Sequence, residues 1–168
     1  MKIINLSQVI ASFLIGIISL YIVYFILNNF LRKKLDISEN NVSYSLLNAS
    51  IIISSSLFIM SVLNAGVNAI QFLNQSENLN LESFLISSAY VIAFALIGLF
   101  FTFLVISIGL FIFFRLTHVN EIDQLKLNNI SIAIISSAFI LGLSIIMHEQ
   151  IGHLCETLIP YPKVIQIR

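Results

Sequence analysis

The stretch His148-Glu149-Gln150-Ile151-Gly152-His153-Leu154-Cys155-Glu156 concentrates side chains that can ligate a metal. It is not the zinc-protease pattern H-E-x-x-H, because one extra residue separates the histidines. At about 100° per residue the two rings stand about 140° apart on a helix and cannot grip one ion together. Glu149, His153 and Glu156 do share a face, and any metal site here would have to be built from them. The simpler reading is an amphipathic helix end lying at a membrane interface and stopped by Pro160 and Pro162. On that reading the chain carries no metal and needs no cofactor.

A second group is basic. Arg32, Lys33 and Lys34 are consecutive, and Arg115, His118 and Lys126 lie in the other short charged segment. In a single chain such residues anchor a membrane protein against anionic headgroups. Repeated around an oligomer they would form a rim suited to an anionic, phosphate-bearing ligand. The nearby Asp36, Glu39, Glu121 and Asp123 offset part of that field.

A third group is polar but uncharged. Asn41, Ser45, Asn48 and Ser55 recur at helical spacing, with Ile52 completing the stripe. Asn129 and Ser136 echo it later in the chain, with Ser137, Ser144 and His148 on an adjoining line. Amides and hydroxyls at membrane depth face inward, either to bond neighbouring helices or to line a water-filled path. Phe103, Phe111 and Phe114 are the candidates for a hydrophobic gate on such a path. No nucleophile–base pair, phosphate loop or complete ligand set is present, and an enzyme is not expected.

The elements that must carry these groups follow from composition. Of 168 residues 58% are hydrophobic and 10% charged, the net charge is zero, and the mean hydropathy is +1.01. Soluble domains carry about 25% charged residues, so this chain faces another solvent. The single cysteine, Cys155, forms no internal disulfide. Uncharged runs cover Ile3–Leu31, Asn40–Ser76, Ser83–Phe114 and Leu127–Met147. A helix needs about 20 apolar residues to cross the hydrocarbon core, and every run is long enough. The expectation is an all-α membrane protein with four transmembrane helices near Gln8–Phe30, Val42–Leu63, Phe84–Phe114 and Asn129–Met147. The second and third runs exceed one membrane thickness, which predicts tilt or an interfacial continuation. The first run is too long for a signal peptide and lacks a cleavage site, so it is read as a retained helix.

Lysine and arginine set the orientation. The two tips between helices hold five, against Lys2, Lys163 and Arg168 on the other side. The positive-inside rule then places both tips in the cytoplasm and both termini outside.

The chain also contains an internal repeat. Asn40-Asn41-Val42-Ser43-Tyr44-Ser45-Leu46 aligns with Asn128-Asn129-Ile130-Ser131-Ile132-Ala133-Ile134, and small residues stay small at the same offset further on. Each unit is a helix, a charged tip, an Asn-Asn pair and a second helix. Two helices return the chain to its starting side, so the units have parallel topology about an axis along the membrane normal. The boundaries are 1–76 for the first hairpin, 77–148 for the second and 149–168 for a C-terminal interfacial segment. Together with Asn64-Ala65-Gly66-Val67-Asn68-Ala69-Ile70, these motifs resemble the YjfL-type bacterial inner-membrane family, a domain of unknown function with a duplicated two-helix plan. The resemblance covers about residues 8 to 150 and implies that fold and a bacterial inner membrane. It implies no activity, and this chain has serine where that family tends to have alanine or glycine.

Polar stripes on a four-helix subunit need burial, which predicts a homo-oligomer, a tetramer in preference. The functional expectation is an oligomeric ion channel or pore, gated at the cytoplasmic face by an anionic ligand and serving as a membrane effector in anti-phage defence. The alternatives are a non-conducting scaffold anchoring a cytoplasmic partner protein at the tips, or a small transporter. The transporter is less favoured because no ionisable side chain sits mid-membrane. Besides itself, the expected partner is the lipid bilayer.

Overall fold

A computed structural model describes residues 2–26, 29, 40–76, 81–116 and 121–159; at some helix ends and at Phe114 it describes the backbone alone. Among these residues there is no strand, and the elements in order are α1 (Lys2–Ile26), α2 (Val42–Ser76), α3 (Leu81–Leu116), the short α4 (Glu121–Lys126) and α5 (Ile130–Thr157). Three helices are long and apolar enough to cross a membrane, through Val42–Ala69, Ser88–Phe113 and Ile130–Thr157. They mark the chain as a helical membrane protein. The described apolar part of α1 is the shorter Ser12–Ile26.

Two helices run further than the apolar pattern suggests. α2 continues past Leu63 to Ser76, and α5 past Met147 to Thr157. Both extensions have a packing reason. Ala65 and Ala69 of α2, Ile151 and Cys155 of α5 and Ile159 just beyond it share one buried cluster with Phe58, Val62 and Phe94. Burial of these side chains carries the helix beyond the point where uncharged sequence ends. Leu158 then closes α5, its N–H bonding Cys155 O at 3.1 Å, with Pro160 two residues beyond. The segment from residue 149 thus begins as the last turns of α5.

The contacts fix the directions. A methyl group at Gly98 would stand 3.3 Å from Val62, and one at Gly66 3.6 Å from Phe94, so α3 runs against α2. Gly109 meets Leu143 and Phe113 meets Phe139, so α3 also runs against α5. Gly16 of α1 meets Leu63, while Val23 clusters with Leu47 and Ile51 of α2, so α1 is antiparallel to α2. α2 and α5 run the same way, opposite to α1 and α3: Ser43 meets Asn128, Ser61 meets Gly152 and Asn68 meets Glu156. This parallel pair is the most extensive contact in the molecule, and α2 is its centre, packed by α5, α3 and α1. The core divides in two along the axis. One cluster surrounds Leu47, Ile51, Ala133 and Ile140; the other surrounds Phe58, Val62, Ile151 and Cys155.

Candidate functional site: the polar seam of two parallel helices

The polar residues concentrate where α2 meets α5, and the best defined part is the tip. α4 ends in a Schellman motif: Asn128 N–H bonds Leu125 O at 3.1 Å and Asn129 N–H bonds Gln124 O at 2.9 Å. That motif needs a left-handed residue, and Asn128 supplies it with φ 60°. Asn129 follows at once as the N-cap of α5, its side chain accepting from Ile132 N–H at 3.5 Å and donating to Gln124 Oε1 at 2.9 Å. Asn41 plays the same part for α2, accepting from Tyr44 N–H at 2.8 Å.

The two helix starts are also tied together. Asn128 Oδ1 accepts from Ser43 N–H at 2.9 Å, which satisfies a first-turn amide of α2 from outside its own helix. The Asn41 amide donates back to Leu125 O at 2.6 Å and Lys126 O at 3.3 Å, the last carbonyls of α4. Three asparagines thus close both helix starts and one helix end.

Deeper in the bundle the expected stripe divides. Ser55, Ser136 and Ser144 are fully buried and donate to carbonyls of their own helices: Ile51 O at 2.6 Å, Ile132 O at 2.9 Å and Ile140 O at 2.8 Å. Ser137 is buried and its Oγ has no partner. Ser45 is exposed and bonds Asn41 O at 3.0 Å. Asn48 is half-buried, and its Oδ1 is enclosed without a partner.

The expected gate is not brought together. Phe103 packs against the cluster of Leu47 and Ile51, whereas Phe111 is 68% exposed on the outside of the bundle. The Phe114 side chain lies outside the described residues, as do Arg32, Lys33, Lys34 and His118. Of the basic rim, Arg115 and Lys126 are described, and both are exposed. The histidine segment assembles only in part. His153 Nδ1 and Glu156 Oε2 are 3.3 Å apart, and Glu156 Oε1 accepts from Asn68 at 3.2 Å, joining α5 to the end of α2. Glu149 does not complete a ligand set: among the described residues no three of His, Cys, Asp and Glu come together to hold a metal.

Sequence reasoning missed a second line on α2. Ser43, Ser50, Ser54 and Ser61, followed by Asn68, are spaced by sevens and a four, within about 40° of one another on a helix. This line, rather than the stripe through Asn48, faces α5, as the contacts of Ser43, Ser61 and Asn68 show. The spacing was the available signal, and small residues let the parallel helices approach closely. No family model, no curated protein and no solved structure matches the chain.

Proposed function

We propose that this chain is a four-span protein of the bacterial inner membrane that assembles with itself and acts as a non-conducting scaffold, offering its two tips to a cytoplasmic partner. One observation carries this reading: Asn41, Ser55, Ser136 and Ser144 make their hydrogen bonds inside a single chain and are buried there. Side chains already partnered within one subunit are not available to line an aqueous axis shared between subunits. The fourth span is α1, which buries only Ser19 and Val23 among its described side chains and leaves most of its large apolar side chains, Phe13, Ile18 and Phe25 among them, exposed. That surface is where lipid or a second copy packs.

The duplication belongs to the same proposal. It is supported by the matching caps, Asn41 on Tyr44 and Asn129 on Ile132, and by the common direction of α2 and α5. Kinship with the YjfL-type family rests on the same motifs. The lysine and arginine bias puts the tips in the cytoplasm. A cysteine introduced beyond Pro162 should react with an impermeant reagent outside intact cells, and one near Ser38 should not; the reverse pattern overturns the orientation.

An oligomeric channel is the second reading, favoured by Asn48, whose Oδ1 remains unbonded near the start of α2 and off the α5-facing line. Ion flux in proteoliposomes, measured beside oligomer mass in native lipid, separates the two. The scaffold reading expects an oligomer with flux no higher than empty vesicles for the native chain, Asn48→Leu and Asn48→Asp. Flux that Asn48→Leu abolishes and Asn48→Asp re-tunes would make the protein a channel.

A further inference from the structure

A cleft of about 370 Å³ runs between α1 and α2 and opens to the side. Ile17 and Leu20 of α1 and Ile59, Met60 and Leu63 of α2 form its walls, so the surface it offers is largely apolar. Ser56 at its inner end does not change that, because its hydroxyl already donates to Ile53 O at 2.7 Å.

The length of the cleft matches one leaflet. On α2 it begins at Ser56, the middle of the Val42–Ala69 span, and ends at Val67, two residues short of the span's far end. That stretch of helix rises about 16 Å, and one leaflet supplies about 15 Å of hydrocarbon. Gly16 meets Leu63, so the antiparallel α1 brings Ser12 to the same far end. Asn64 lines that end too; it is exposed and has no hydrogen-bond partner among the described residues. The cleft is also narrow. Spread over that length, its volume gives a cross-section of about 20 Å², whereas a helix with its side chains is about 10–12 Å across. One hydrocarbon chain fits where a helix of a second copy does not.

We propose that the cleft binds one acyl chain of a phospholipid in the leaflet away from the tips, with the Asn64 amide donating to the ester carbonyl at the head of that chain. An acyl chain gains nothing by leaving one apolar medium for another, so its affinity has to come from elsewhere. Concave walls supply dispersion contacts along the chain. The hydrogen bond satisfies an amide that is otherwise unpartnered where water is scarce, and an ester carbonyl can only accept.

Photolabelling tests this with the native chain in proteoliposomes of phosphatidylethanolamine and phosphatidylglycerol. The probe is a trace of phosphatidylethanolamine carrying a diazirine midway along one acyl chain, with labelled residues mapped by mass spectrometry. Met60 in the cleft, Leu96 of α3 and Ile146 of α5 are almost equally exposed, at 64%, 62% and 68%. All three lie in the half of the membrane away from the tips, so lipid that merely surrounds the protein labels them alike. A held chain should label Met60 and its neighbours in the cleft several-fold more than Leu96 or Ile146, and Asn64→Leu should remove that excess. Even labelling of the three sites would overturn the proposal, as would an excess that Asn64→Leu leaves unchanged. Labelling of Met60 below the other two would mean that a second copy covers the cleft, and would equally overturn it.

Discussion

α2 and α5 begin alike and end in different surroundings. Each opens on an asparagine whose side chain accepts from the amide three residues on, and each runs from the tip toward the far side. Yet α2 is enclosed by α5, α3 and α1, whereas α5 leaves Ile134, Ile135, Ile145 and Ile146 on an outward face. Equivalent positions therefore differ in burial: Leu47 and Phe58 are buried, whereas Ile135 and Ile146 are 58% and 68% exposed. Local sequence decides how a helix starts. Neighbours decide what each of its faces meets.

The largest expected effect breaks the likeness of the two caps. Asn41→Leu removes a cap and also the side-chain donor that Leu125 O and Lys126 O share, leaving Leu125 O with Asn128 N–H alone, a loss of about 1–3 kcal/mol. Asn129→Leu removes a longer cap bond and a part-buried contact to Gln124, a loss of about 1 kcal/mol. Reversible unfolding in mixed micelles measures both. Equal losses would mean that the link from Asn41 to α4 contributes nothing beyond capping.

The second prediction uses two glycines of α5. A methyl group at Gly152 would lie 3.3 Å from Ser61 Cβ and 3.4 Å from Ser61 O, where backbone cannot yield cheaply. Gly152→Leu should therefore cost about 1–3 kcal/mol by forcing the parallel pair apart. At Gly142 the same methyl would meet nothing within 4 Å. Gly142→Ala should be neutral or stabilising by up to about 1 kcal/mol, the helix-propensity difference. A destabilised Gly142→Ala oligomer with a stable subunit would instead show that this face packs against another copy.

Much of the fold was legible because lipid imposes one rule on every span. Long uncharged runs locate α2, α3 and α5, and the paired asparagines at 40–41 and 128–129 locate two helix starts. The far ends were not legible. Asn64, Asn68 and His148 look like interface residues, and only contacts distant in sequence, such as Cys155 against the Phe58 cluster, show why the helices continue. The polar stripe was half legible. Helical spacing placed Asn41, Ser45, Asn48 and Ser55 on one arc, but spacing alone does not say which neighbour an arc meets. The arc through Ser43, Ser54 and Ser61 meets α5 instead.

The smallest expected effect concerns the phenylalanines. Phe111→Ala, on the outer surface, should change stability by about 0.5 kcal/mol or less, as distant surface substitutions do. Phe103→Ala, packed on the Leu47 cluster, should cost more, up to about 3 kcal/mol. Thermal melts of the two variants side by side would reverse the assignment of inner and outer faces on α3 if Phe111 proved the costlier.

The turn at Asn128 restricts how this segment can drift over generations. The position must hold a left-handed backbone and present an acceptor to Ser43 N–H, and few residues do both. Glycine keeps the turn and loses the bond. Aspartate keeps the bond and tolerates the turn, but adds a charge beside Asn41 and the start of α2. Residues branched at Cβ keep neither. A lineage that changes this residue has to reshape the Ser43 end of α2 as well, so the two tips can only vary together.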